Sequence, residues 1–230
     1  MKKETIEPSE LEKPGNVTHE KIERGTSVTE VLETKIECLD FEGEWFDAFE
    51  KPQSTGVWFI WGNSGNGKTR FTYLLCKYLT KFGKVAYNSL EEGKVSRPMQ
   101  KAFKQIGMSE VGGKLVTVCE DIQELTKRLE RRKGPDIAVI DSVQYARLKK
   151  NEYLAFREKF KNTKLLIFIS QTRGKLPAGS LANDIMFDAN QKIWIEGFRA
   201  ITKGRSIGPV GHYTIWNEGA AKYWGEPINN

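Results

Sequence analysis

Short apolar runs alternate with amphipathic stretches along most of this chain. Val57 to Trp61 is β-branched and aromatic, as a buried strand would be, and Arg70 to Phe82 continues with helical periodicity. Lys84 to Leu90 reads as a second strand, and Lys94 to Ile106 as a helix whose Pro98 fits a first turn but not an interior. Lys114 to Cys119 makes a third strand. Asp121 then caps a charged helix running to about Lys133, with Ile122, Leu125 and Leu129 as its inward stripe, until Gly134-Pro135 breaks it. Asp136 to Ser142 is a strand, Tyr153 to Phe160 a helix and Leu165 to Ile169 a strand closed by Ser170-Gln171. This alternation predicts an α/β fold with a mainly parallel sheet covered by helices on both faces. Gln191 to Ile195, Arg199 to Thr202, Gly211 to Trp216 and Lys222 to Trp224 read as short strands with no helix between them, an antiparallel C-terminal extension.

The segment before the first strand differs. Residues 1–40 are rich in Glu, Lys and Thr with little sustained apolar periodicity, so they are expected to form a flexible acidic arm ahead of a domain over 41–230. Val28, Val31, Leu32 and Ile36 suit a short amphipathic helix or an extended arm that grasps a neighbouring subunit. Phe41, Trp45, Phe46 and Phe49 share a helical face, expected to pack into the core, and Pro52 ends the element.

Charge sharpens this division. The chain has 230 residues and a net charge of +6, but residues 1–50 hold 6 Lys/Arg and 14 Asp/Glu, leaving 30 basic and 16 acidic residues beyond them. A domain that basic is a plausible polyanion binder. No apolar run approaches the roughly 20 residues needed to cross a bilayer, and Met1-Lys2-Lys3-Glu4 begins no signal peptide, so no membrane association and a cytoplasmic location are expected. Cys38, Cys76 and Cys119 are scattered, and neither His19 nor His212 joins them at metal-ligand spacing, so no disulfide framework or zinc site is indicated.

The candidate chemistry starts at Gly62-Asn63-Ser64-Gly65-Asn66-Gly67-Lys68-Thr69, between the first strand and its helix. Two glycines separated by four residues, followed by Lys and Thr, let successive backbone N–H groups curl around a phosphate chain. The candidate nucleotide-binding set is therefore Gly62 to Thr69 together with Arg70, which opens the helix. In this context Lys68 is expected to reach the β- and γ-phosphates and Thr69 to ligate Mg²⁺, while the helix N-terminus adds its partial positive charge.

In open α/β sheets, ligands sit beyond the carboxyl ends of the strands, and other strand ends here carry suitable groups. Asp141, at the end of the strand from Asp136, is the second expected Mg²⁺ ligand. Glu91 is placed to polarise the water attacking the γ-phosphate, with Glu92 as the competing candidate. Gln171 is placed to hydrogen-bond the γ-phosphate and to shift when it leaves. Beyond it, Thr172 to Asn183 reads as a polar, mobile loop whose Arg173 and Lys175 suit contact with a nucleic-acid backbone.

Taken with Gly62 to Thr69, the segments Asn88-Ser89-Leu90-Glu91-Glu92, Ile140-Asp141-Ser142 and Ile169-Ser170-Gln171 resemble the RecA-like ATPase core, particularly the branch of DnaB-type helicases, RadA and KaiC. Lys203-Gly204-Arg205, followed by Gly208-Pro209, is similar to the Lys-x-Arg segment of DnaB-type helicases, and the resemblance spans about residues 55–218. It implies a RecA-like P-loop NTPase that uses ATP and Mg²⁺ and assembles as a homo-oligomeric ring or filament. It further implies that Lys203 and Arg205 reach the γ-phosphate of an adjacent subunit, Arg205 as an arginine finger. The chain has no match to the separate N-terminal domain of DnaB-type helicases or to the zinc motif of RadA, so a minimal ATPase core with an acidic arm is expected. The resulting expectation is an ATPase acting as a DNA-directed motor or as a replication or recombination accessory protein. The alternative is an ATP-switched loader or regulatory module whose acidic arm binds a protein partner, with little turnover. A small-molecule kinase fits poorly, because the Lys203 to Gly211 segment and the antiparallel tail offer neither acceptor site nor lid.

Overall fold

A computed structural model describes residues 24–203 and 211–227. They fall into two units divided after Lys35. In the first, helix α1 (Val28–Glu33) is opened by a capping box, in which Ser27 accepts from the Glu30 N–H and the Glu30 carboxylate accepts from the Ser27 N–H. Its apolar residues Val28, Val31 and Leu32 are exposed.

The second unit begins with α2 (Glu44–Phe49), β1 (Gly56–Gly62), α3 (Lys68–Leu79), β2 (Val85–Ser89) and α4 (Arg97–Gln105). A 3₁₀ segment (Met108–Lys114) leads into β3 (Leu115–Val118), α5 (Ile122–Glu130), β4 (Ile137–Asp141), α6 (Lys150–Phe160) and β5 (Leu165–Ser170). There follow β6 (Thr172–Arg173), β7 (Leu176–Pro177), α7 (Ser180–Asp188), β8 (Gln191–Glu196), β9 (Arg199–Thr202), β10 (His212–Thr214) and α8 (Asn217–Trp224). Among the described residues the main sheet runs β10-β9-β8-β1-β5-β4-β2-β3. Every pairing from β8 to β3 is parallel, and β9 and β10 add antiparallel strands at one edge.

Helices on both faces explain why the central strands read as unbroken apolar runs. On one face Trp58, Ile60, Tyr87 and Ile167 pack with Phe71, Leu75 and Leu79 of α3; on the other, Val57, Phe59, Ala138 and Phe168 pack with Leu125 of α5, Tyr153 of α6 and Ile185 of α7. The two-residue period of the strands sorts each side chain to its layer. Phe41, Trp45 and Phe49 close the first layer against Trp58, Phe71 and Tyr78, as expected of them, whereas Phe46 is turned outward.

Three local expectations need correction. The segment from Gln191 is not the start of an antiparallel extension: β8 joins β1 in parallel, because α7 is a crossover helix hidden in the polar stretch after Gln171. Lys222 to Trp224 is helical, forming the end of α8. Gly219 within that helix would argue against it, but an added Cβ there would lie 2.2 Å from the Trp216 ring, so the glycine admits an aromatic contact. The helix after Asp121 stops at Glu130, short of Lys133. No described helix is long and apolar enough to cross a membrane.

Candidate functional site

Backbone demands explain the glycine loop first. Gly62 ends β1 so close to β8 that an added Cβ would lie 2.4 Å from the carbonyl oxygen of Ile195. Gly65 and Gly67 take positive φ values of 78° and 94°. Gly67 is also the N-cap of α3 with no capping side chain, which leaves the first N–H groups of that helix for a ligand. Asn66 acts as a buckle: its Nδ2 donates to the Ser64 carbonyl at 3.2 Å, and its Oδ1 accepts from the Gly197 N–H at 2.8 Å. The loop is thereby tied to the turn between β8 and β9.

Beside it opens a cavity of about 520 Å³, lined by Gly62, Asn63, Ser64, Lys68 and Thr69 of the loop, Tyr87 and Ser89 of β2, Glu91, Glu92, Asp141, Gln171 and Thr172. The residues singled out at four strand ends thus meet around one space. Lys68 Nζ lies 3.4 Å from the Gly62 carbonyl oxygen and forms no ion pair among the described residues. Asp141 stands opposite, where burial pushes its carboxyl above the ordinary carboxylate range; the Tyr87 hydroxyl and Lys68 oppose that rise, while Glu91 and Glu92 add to it.

Sequence reasoning missed Tyr87. Its hydroxyl donates to Asp141 Oδ2 at 2.5 Å. Burial and the neighbouring carboxylate push this phenol well up, so it stays a proton donor. Behind it Tyr73 packs edge to face at 5.4 Å, its own phenol raised by burial to about 12. The two candidate glutamates also separate here. Glu92 accepts from Ser96 Oγ at 2.7 Å, and Ser96 caps α4, whereas the Glu91 carboxylate has no hydrogen bond or ion pair among the described residues.

Within the stretch after Gln171, read from the sequence as a loop, β6 and β7 form a hairpin turning at Gly174 (φ 66°), and α7 follows from Ser180. Gln144 clamps its base: Oε1 accepts from the Gln171 N–H, and Nε2 donates to Ser170 Oγ and the Ala178 carbonyl. Thr172 Oγ1 donates to Asn63 Oδ1 at 2.7 Å, and Trp61 Nε1 donates to the Lys175 carbonyl at 3.2 Å, which joins the hairpin to the glycine loop. Arg173 and Lys175 project from it, exposed.

Other named residues lie elsewhere. Arg70 is exposed on α3 and does not line the cavity. Lys203 is exposed at the end of β9, its N–H donating to the Lys192 carbonyl at 2.6 Å, and it too is absent from the lining. Arg205 lies outside the described residues.

No family model and no curated protein matches the chain in sequence. Solved structures do resemble it. The flagellar accessory protein FlaH from Methanocaldococcus jannaschii superposes with a TM-score of 0.55 at 16% identity, over 76% of this chain and 89% of that one. The KaiC-like protein PH0186 from Pyrococcus horikoshii OT3 gives 0.52 at 19% identity, over 71% and 83%. The chain shares the fold of these structures, a RecA-like α/β domain with a mostly parallel central sheet.

Proposed function

We propose that this chain binds Mg·ATP in the 520 Å³ cavity and hydrolyses it, as a cytoplasmic, homo-oligomeric ATPase directed at DNA. The observation that carries the reading is the meeting of Lys68, Thr69, Glu91, Asp141 and Gln171, from four strand ends, around one polar space. Mg²⁺ fits the donors present: the Thr69 hydroxyl and Asp141 carboxylate are hard oxygens, and this ion is usually held by one or two protein oxygens with substrate phosphates and water. When bound it would neutralise charge on the β- and γ-phosphates.

The chain's own groups do the rest. Lys68 and the N–H groups at the start of α3 hold the phosphate chain. Glu91, which has no hydrogen bond or ion pair among the described residues and lines the cavity, takes a proton from the attacking water as the water oxygen bonds to the γ-phosphorus and the bond from that phosphorus to its bridging oxygen breaks. Glu92, which accepts from Ser96 Oγ, is the less available of the two for that role. Gln171 lines the cavity from a backbone fixed by Gln144 and continuous with Arg173 and Lys175, which supports a role in sensing the γ-phosphate and a nucleotide-dependent contact with DNA through the hairpin. Lys203 does not line its own cavity, which suits a role on a neighbouring subunit, with Arg205 as the finger.

Steady-state ATP hydrolysis with and without single- or double-stranded DNA tests this. Turnover that DNA stimulates and Lys68→Ala abolishes is expected. Tight ATP binding with negligible, DNA-indifferent turnover would instead make the chain an ATP-switched binding module.

A further inference from the structure

At the other end of the sheet lies a second concavity, of about 200 Å³, that none of this chemistry uses. Its lining includes Lys84, Lys114, Arg128, Arg131 and Lys133, together with Gly113, Val116, Gly134 and Pro135, and contains no carboxylate. Of the five cations, only Arg128 has an ion-pair partner among the described residues, Glu120; Glu120 also feels Arg131 more weakly.

The fold holds these charges together. Leu115, Val85, Ile137 and Leu165 are in register across β3, β2, β4 and β5, so Lys114, Lys84, Asp136 and Lys164 precede four adjacent strand starts. That row extends over three strand spacings, about 14 Å. Within it Asp136 is engaged by the Lys84 N–H at 2.9 Å and by Lys164 at 3.8 Å. Past the end of α5 a tight turn brings Arg131 and Lys133 to the rim; an added Cβ at Gly134 would lie 2.5 Å from the Arg128 carbonyl oxygen, so only glycine closes it. Lys84 Nζ lies 3.4 Å from the Lys133 carbonyl oxygen.

Structural needs account for part of this charge. Lys127 and Arg128 in the last turn of α5 complement its dipole, and a lysine beside an edge strand such as β3 discourages strand pairing between molecules. Neither need calls for Arg131, Arg132 and Lys133 beyond the helix, or for Lys84 just ahead of the interior strand β2. Like charges crowded round a concavity repel one another, and a bound anion relieves that repulsion. No aromatic ring lines the site, so it lacks the anchors on which protein interfaces depend. Charge without such anchors is what a phosphodiester backbone meets.

We propose that this basal pocket and its row of lysines bind the phosphodiester backbone of a nucleic acid without reading its sequence. The inference deepens, and rests on, the nucleic-acid part of the function proposed above, and it sets a contact a strand's length, about 15 Å, from the nucleotide cavity. The test is fluorescence anisotropy of the full chain with a labelled single-stranded deoxyoligonucleotide and with the matching duplex, over a salt series. The triple variant Lys84→Ala/Arg131→Ala/Lys133→Ala should bind about tenfold more weakly at low salt. Its slope of log affinity against log salt should be shallower by about 2 for the single strand. Binding of a fluorescent ATP analogue should be unchanged, and Lys84→Arg/Lys133→Arg should bind the oligonucleotide as wild type does, which separates lost charge from lost folding.

If wild type binds and the triple variant keeps its affinity and slope while Arg173→Ala/Lys175→Ala weakens binding, this inference falls and the hairpin reading stands. If wild type binds neither probe, both fall. Displacement of the oligonucleotide by a poly-glutamate peptide at equal charge concentration would overturn the assignment to nucleic acid.

Discussion

Replacing Tyr87 with Phe tests whether the floor of the cavity is built to hold a carboxylate. Phe keeps the ring and its edge-to-face contact with Tyr73 at 5.4 Å, so the only loss is the hydroxyl that donates to Asp141 Oδ2 at 2.5 Å. A hydrogen bond to a charged group contributes about 1.5–3 kcal/mol. Because Asp141 also faces the cavity, water can replace part of it, leaving a cost of about 1–2 kcal/mol. For a domain of this size that lowers Tm by about 2–8 °C. The hydroxyl also opposes the upward shift of the Asp141 carboxyl, so its loss should raise that pKa further and misorient the group. If Asp141 holds Mg²⁺ as proposed, removal of the partner behind it should weaken metal binding about tenfold or more. The assay is a Mg²⁺ titration of fluorescent ATP-analogue binding, with thermal melts in parallel; the Mg²⁺ midpoint should rise about tenfold. A lower Tm with an unchanged Mg²⁺ midpoint would show that the hydroxyl serves folding alone. An unchanged Tm and midpoint together would refute the reasoning entirely.

Gly62→Ala forces a Cβ to 2.4 Å from the Ile195 carbonyl oxygen, which is backbone and cannot swing aside, so a loss of about 1–3 kcal/mol, read as a depressed melt, is expected; a wild-type melt would show that β1 and β8 separate freely. Glu91→Gln should reduce ATP turnover about 10²-fold or more with analogue binding retained, while Glu92→Gln loses much less; equal losses would remove the distinction drawn from Ser96. Mixing Glu91→Gln with Arg205→Ala chains should restore part of the turnover if active sites are shared between subunits, and no restoration in demonstrated mixed assemblies would count against the finger. For pH, the folded Asp141 carboxyl holds its proton more tightly than the unfolded one. Its contribution to stability is therefore greatest below the ordinary carboxylate range and is lost as pH rises towards the raised folded value. Wild type should accordingly lose stability relative to Asp141→Asn across that interval, while its stabilisation by Mg·ATP grows; a flat difference curve would show that Asp141 is not perturbed.

Much of the sheet was legible because burial on both faces leaves the same signature in every central strand. Val57 to Trp61, Ile137 to Ile140 and Leu165 to Ile169 are unbroken apolar runs and needed no knowledge of their neighbours. The misread elements all lack such a run. In α7 the buried residues are only Ala182 and Ile185, set among Asn183, Asp184 and Asp188, so a crossover helix passed for a polar loop and the parallel entry of β8 went with it. In α8 the signal was masked by Gly219, whose reason is the Trp216 ring across the turn.

The site divides along a similar line. Lys68, Thr69, Asp141 and Gln171 announce themselves by residue type at fixed offsets from strands, and the structure brings them to one cavity. Tyr87 does not, because a tyrosine in an apolar strand reads as core until the pairing register is known. In that register Tyr87 lies opposite Val139, and Asp141, two residues further along β4, projects from the same face. A shift of one residue would turn the hydroxyl to the opposite layer and leave Asp141 without this donor. Glu91 and Glu92 illustrate the same dependence: adjacent, identical in chemistry and both lining the cavity, they are distinguished by Ser96, whose place at the head of α4 engages the Glu92 carboxylate, while Glu91 has no hydrogen bond or ion pair among the described residues.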